Sequence, residues 1–294
     1  MEAAAPTGIL EVDRLLDSSE PRPRVNPVWW MGGIFLLAMC ATVIVGGAPA
    51  ESRQALAALF GLLVVASVAA LSLFSVYSVR QLRAGHQRVQ QIGELVQLRR
   101  WPEAAMSLDS YLSEPSRTQQ LRVQALAYLG PVLARLGRFD DVIAVQTHLI
   151  EDGRVDPSGV AALRIGRAMA MLHEDHLFDA DRAISELRRG PAAGSAALAL
   201  LEIYRDVKTG HPAEAVEIFQ QKLPILRDQL GHRAADAYAL IARAYDLLGR
   251  EQEARTAFRN ATLLAPVVEL FRRYAEVQKL ADRFQPAPAP PEAA

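Results

Sequence analysis

The pattern of apolar and polar positions divides the chain into three regimes. Between Val28 and Tyr77 charge is almost absent, and from Val79 to Phe284 apolar residues recur at three- and four-residue steps. Met1 to Pro27 and Gln285 to Ala294 carry no sustained period. The first regime holds two uncharged runs, the 18 residues Val28 to Val45 (VWWMGGIFLLAMCATVIV) and the 23 residues Ala55 to Tyr77 (ALAALFGLLVVASVAALSLFSVY). A helix needs about 20 apolar residues to cross a hydrocarbon core, and a soluble core helix rarely stays apolar on every face for so long. Trp29 and Trp30 open the first run and Tyr77 closes the second, where interfacial aromatics favour the headgroup level. The link GGAPAESRQ is short, so the expectation is a tight antiparallel transmembrane hairpin, 28–77. Ala57-xxx-Gly61 and Ala66-xxx-Ala70 offer small faces for close packing, within the hairpin or between copies.

Arginine sets the expected orientation. Arg22 and Arg24 precede the first span and Arg80, Arg83 and Arg88 follow the second, while the link holds only Arg53, beside Glu51. Positive charge stays inside, so both termini of this multi-pass chain are expected in the cytoplasm, and the arginine-rich, lysine-poor usage fits a bacterial inner membrane. The rival is a signal peptide cleaved after the APA that precedes Glu51. It would need a 50-residue leader with an acidic start, and its apolar run exceeds the usual h-region of about 7–15 residues. Residues 1–27 read as a cytoplasmic tail, mostly disordered. Ile9 to Leu16 is apolar enough for a docking peptide, but so short a helix is marginal alone in water.

Beyond Tyr77 no proline occurs until Pro102, and Val79, Leu82, Val89, Ile92 and Val96 keep helical spacing. The second span is therefore expected to leave the bilayer and continue as the first helix of the next region. Gly85 and Gly93 weaken that expectation by about 1 kcal/mol each.

The rest of the chain repeats. In Ala235 to Pro266, numbered from Ala235, Tyr238 is at position 4, Ile241 at 7, Ala242 at 8, Tyr245 at 11, Ala254 at 20, Phe258 at 24, Ala261 at 27 and Pro266 at 32. Small residues at 8, 20 and 27 let two helices approach closely, large ones fill the gap to the next pair, and proline ends the second helix. Looser copies place Ala104, Leu108 and Tyr111; Val142, Gln146 and Leu149; Ala180, Ile184 and Leu187; and Ala215, Phe219 and Lys222 at the corresponding positions. The anchors Ala104, Val142, Ala180, Ala215 and Ala254 lie 38, 38, 35 and 39 residues apart. This pattern resembles the tetratricopeptide repeat, a helix–turn–helix unit of about 34 residues, closely in the last unit and loosely in the four before it. The resemblance covers roughly Gly85 to Pro266. It implies an all-α chain: the transmembrane hairpin, then a solenoid over 78–284 of about five helical hairpins, closed by a capping helix over Val267 to Phe284. Residues 285–294 read as a disordered Pro/Ala tail.

In that family the first helices of the hairpins line a groove that holds a peptide. Carrying the groove positions over gives Ala239, Arg243 and Asp246 in the last unit, Leu198, Glu202 and Arg205 in the unit before, and Arg164 and Arg167 nearby in the third. The arginines have the fork geometry for carboxylates of a partner. The plainer reading is solvated charges, some paired with Glu202 or Asp246, since exposed pairs are individually weak.

Chemistry is otherwise sparse. A net charge of −1 gives no case for nucleic acid. The lone Cys40 permits no intrachain disulfide. His173 to His176 (HEDH) holds two histidines and two carboxylates, but at an expected turn and with no third ligand at metal spacing. No phosphate loop or nucleophile elbow is present, so neither cofactor nor metal is expected and the chain does not read as an enzyme. The function expected is a membrane-anchored adaptor that binds a protein or peptide partner. The alternative is an accessory subunit of a membrane enzyme or transporter, with the hairpin making the main contacts. Against it, the spans hold no ionisable residue, and such residues usually mark a pathway.

Overall fold

The computed structural model describes residues 10–17, 32–33, 39, 49–114 and 118–284, all of them in helices and turns without a strand. The chain forms two compact units, Met1–Val132 and Leu133–Ala294. Most of the first expected span lies outside the described residues, where only Gly32, Gly33 and Met39 are seen, each helical; the Pro/Ala tail lies outside them altogether.

In the first unit a helix of six residues, α1 (Val12–Asp17), precedes α2, one unbroken helix over Ala50–Gln97. At 1.5 Å per residue α2 is about 70 Å long, more than twice a hydrocarbon core of about 30 Å. Among the described residues it is the one helix long and apolar enough to cross a membrane, and its apolar stretch is not buried in the protein: Leu62, Val65, Leu73 and Phe74 are all exposed. Further along, the same helix becomes one-sided. Val89 and Ile92 are buried, against α3 (Trp101–Ser113) and α4 (Gln119–Arg135), whose residues up to Val132 belong to this unit. Gly93 faces Tyr128 so closely that a Cβ there would sit 2.9 Å from the phenol oxygen. The glycine that weakens the helix in isolation thus lets α4 approach it.

Of the leader, residues 10–17 are described, and they are docked on the rest of the unit. Leu10, Val12 and Leu15 are buried. A buried Arg122 from α4 donates to the carbonyl of Leu15 and, at 3.2 Å, to that of Leu112. One guanidinium therefore caps the last turns of α1 and α3, where carbonyls lack helical partners. Arg14 adds a bond to Ser113 Oγ at 3.3 Å. A helix too short to stand alone is stable here because tertiary contacts supply what propensity does not.

The second unit continues with α5 (Phe139–Glu151), α6 (Pro157–His173), α7 (Leu177–Arg188), α8 (Ala196–Thr209), α9 (Pro212–Leu230), α10 (Ala234–Leu247) and α11 (Glu251–Leu264). Local chemistry sets their ends. Asp156 and Ser195 cap α6 and α8 by accepting from Gly159 N and Leu198 N, satisfying amides of the first turn. Pro157 and Pro212 sit at helix starts, where no amide hydrogen is needed.

One turn recurs five times, once in the first unit and four times in the second. A left-handed residue ends one helix: Arg99, Gly137, Asp175, Gly210 and Gly249, with φ between 59° and 81°. The next residue donates its N–H to the carbonyl five back, at 2.8–3.0 Å: Arg100 to Leu95, Arg138 to Leu133, His176 to Met171, His211 to Asp206 and Arg250 to Tyr245. This is the Schellman closure. Each of these residues leaves the helical region, with ψ between 57° and 73°. Its carbonyl accepts from the amide four residues on, which belongs to Ala104, Val142, Ala180, Ala215 or Ala254. These are the anchors of the sequence repeat, and all are buried. A basic residue also precedes an acidic one by three at every turn, and Arg138–Asp141 (2.5 Å) and Arg250–Glu253 (2.8 Å) close as ion pairs.

The segment expected as a single capping helix is broken. It forms α12 (Val267–Arg273), a 3₁₀ turn (Ala275–Val277) and α13 (Gln278–Phe284), with Tyr274 extended at φ −137°, ψ 91°.

The left-handed position makes a prediction of opposite signs. At Arg99, relief of about 1–2 kcal/mol of left-handed strain outweighs roughly 0.4–1 kcal/mol of added unfolded-chain entropy, so Arg99→Gly raises stability slightly. Gly249→Ala meets no atom within 4 Å, and the backbone alone lowers stability by about 1 kcal/mol. Urea unfolding of each variant in mild detergent checks both signs.

Candidate functional site

The first helices of the hairpins in the second unit, α6, α8 and α10, together with Arg135 at the end of α4, form the face on which the expected groove residues were placed. The structure distributes those residues unevenly. Arg164 is exposed. Arg167 is half-buried and reaches Thr147 Oγ1 at 3.4 Å. Glu202 accepts from Arg188 at 2.6 Å. Arg205 is held between Asp206 (2.6 Å) and Asp181 (3.0 Å), and Arg243 pairs with Asp246 at 2.6 Å, which also takes Arg283 at 2.5 Å. Leu198 and Ala239 are core residues, 3% and 0% exposed. The arginines therefore do not stand in one free row.

The cause lies in α8 and α10. In α10, eleven of fourteen residues are buried. Second helices pack against α10 on one side, and the α12–α13 segment touches it on another. The signal was present in the sequence: apart from Asp236, AADAYALIA is apolar all round, and such a helix is buried rather than one-sided.

The face carries a compact cluster that the sequence reading did not assemble. His173, expected in a solvated turn, points inward from the end of α6. Its ring stacks on Phe139 at 4.2 Å and lies 5.1 Å from Tyr204 and 5.9 Å from Tyr274. Tyr204 and Tyr274 meet edge to face at 5.1 Å. The Tyr204 hydroxyl contacts His173 Nδ1 and donates to Glu276, both at 3.3 Å. Lys208 lies beside this box, bonded to the Leu172 carbonyl and paired with Asp175 (2.7 Å) and Glu276 (3.8 Å). Residues far apart in sequence build the cluster, so spacing gave no sign of it.

Burial and the neighbouring Lys208 ammonium lower the His173 pKa to about 4, keeping the ring neutral. Burial, with the Glu276 carboxylate nearby, pushes the Tyr204 phenol up. Burial raises the Asp236 carboxyl against the pull of Arg273 and Arg233, whereas bonds from Arg135 hold Glu269 down. Among the described residues no three His, Cys, Asp or Glu side chains gather closely enough to hold a metal ion. Beside the face a shallow depression of about 370 Å³ is lined by Arg227, Tyr238, Asn260, Leu263 and Leu264, among others.

No known protein family, curated protein or solved structure matches the chain.

His173 makes a pH prediction. Its folded pKa lies below the unfolded value near 6.5, so the unfolded chain binds the extra proton, and the stability present above pH 6.5 falls away as the pH drops toward 4. Between pH 7.5 and 5 this group removes about 2 kcal/mol, at 1.36 kcal/mol per unit. His173→Phe keeps the stack on Phe139 and removes the proton site. The loss of stability from pH 7.5 to 5 should shrink by about that amount in denaturant melts; an unchanged loss would assign the acid sensitivity elsewhere.

Proposed function

We propose that the protein is a scaffold anchored in a membrane by two helices, with a tetratricopeptide-like solenoid on the cytoplasmic side that binds partner proteins along its first-helix face. The observation that carries this reading is the turn repeated five times, at Arg99, Gly137, Asp175, Gly210 and Gly249, each followed by a buried anchor. Identical joints at near-regular spacing are what a stack of helical hairpins requires. Such a stack offers surface to a partner.

The anchor draws support from Arg122. It clamps α1 to α3 and α4, so residues 10–17 share a side of any membrane with residues that follow α2. If α2 crosses the bilayer, the chain between Asp17 and Ala50 must cross back. The uncharged run Val28 to Val45 has the length for it. This favours two spans with both ends on one side, and it disfavours cleavage after Ala50, which would sever a leader already docked.

Protease protection of tags placed at Met1 and after Ala294, in sealed vesicles of known orientation, tests the anchor. Both tags should be cut together or protected together; tags on opposite sides overturn it. A photo-crosslinking residue at Arg164, in the full chain in cells, tests the scaffold. Partner adducts there are the expected result. Adducts obtained only from probes within 28–77 would move the function into the membrane.

A further inference from the structure

The first-helix face of the second unit is already occupied. Val267–Phe284 crosses it and touches the first helix of four successive hairpins. Glu269 binds Arg135 of α4 with both carboxylate oxygens. Tyr274 enters the box formed with His173 of α6 and Tyr204 of α8. Arg273 pairs with the fully buried Asp236 of α10 at 2.7 Å, and Arg283 reaches Asp246, also in α10. A cap needs only the last hairpin; this segment reaches back about 130 residues along the chain to Arg135.

Its construction is that of a bound peptide. Two helices of seven residues flank an extended tyrosine, and helices that short do not stand alone. Its described buried side chains are Leu270, Tyr274, Val277 and Leu280, four across 18 residues, against eleven buried positions in the fourteen of α10; Val267, Phe271 and Phe284 are only partly buried against the core. Ion pairs of Glu269, Arg273 and Arg283 with the face beneath add a polar grip. Few apolar contacts per residue place a segment at the low end of local stability.

We propose that Val267–Phe284 is a resident ligand of the protein's own first-helix face, and that a partner binds there by displacing it with a peptide of the same chemistry. That peptide carries an aromatic ring for the box of Phe139, His173 and Tyr204, a carboxylate five residues ahead of the ring for Arg135, and a guanidinium directly before it for Asp236. The inference rests on the scaffold reading and adds to it what the partner looks like and why the face is closed at rest. The segment is tethered through Pro266, so its effective concentration is high, on the order of millimolar for a short link, and an untethered competitor meets a strong barrier until the segment is weakened.

The test uses the full chain in mild detergent and a fluorescent synthetic peptide spanning Pro266–Phe284. A double variant, Glu269→Arg with Arg273→Glu, reverses the segment's charges and removes no core side chain. Wild type should take up little peptide. The variant should bind it at least about tenfold more tightly, because the tethered competitor is weakened, and a peptide carrying Tyr274→Ala should lose that binding. A folded variant that takes up no peptide, or binds it regardless of Tyr274, overturns the proposal. If the variant does not fold, hydrogen exchange on wild type decides: amides of 268–284 exchanging ahead of those in α8 and α10 support a displaceable segment, and exchange only by global unfolding makes it a structural cap. Peptide uptake with no partner adducts in cells would keep the resident ligand and sink the scaffold. Adducts at Arg164 whose yield ignores the charge reversal would do the opposite.

Discussion

The close approach of two helices at a single small residue is the constraint on which the structure depends. A left-handed residue stops the first helix, the next residue turns the chain, and its carbonyl then receives the amide of a residue four positions on. That hydrogen bond fixes the anchor in the first turn of the second helix. Ala104, Ala180, Ala215 and Ala254 are wholly buried there, and Val142 nearly so. A larger side chain at these points would force the helices apart, and core sites tolerate added volume poorly. The basic residue of the turn and the acidic residue three positions later add a local ion pair at several turns. The carboxylate also sits in the first turn of the new helix, where the helix dipole favours it.

Two tolerances in this scheme are informative. Arg99 and Asp175 adopt φ near 60° without being glycine. Aspartate enters that region with less strain than most residues, and arginine does so rarely. Asp175 gains a compensating contact, since its carboxylate lies 2.7 Å from Lys208. The turn geometry is therefore held by the packing of the two helices it joins rather than supplied by local preference.

Much of this was legible because the repeat is a pattern of residue size. Small anchors followed by large residues at helical steps can be seen from Ala104 to Ala261 without coordinates, and a long uncharged run continuing into spaced valines already describes α2. The groove was not legible in the same way. Transferring positions such as Leu198 and Ala239 assumes that one side of each first helix stays open. Here Leu270, Tyr274, Val277 and Leu280 supply a further apolar layer. The break at Tyr274 has no glycine or proline to announce it. It follows from where the ring must go, against His173 and Tyr204, and that pocket exists only once α6 and α8 have packed together.

Arg122 shows the same dependence from the other end of the chain. A guanidinium that is 3% exposed is stable only if its donors are used, and burial lowers its pKa. Leu15 and Leu112 provide carbonyls at helix C-termini, which lack helical donors and carry the negative end of the helix dipole. Without α1, one arm of the guanidinium would lose its carbonyl in a site built to exclude water. The leader and α4 therefore stabilise each other, the leader gaining order it lacks alone and the arginine gaining an acceptor it needs.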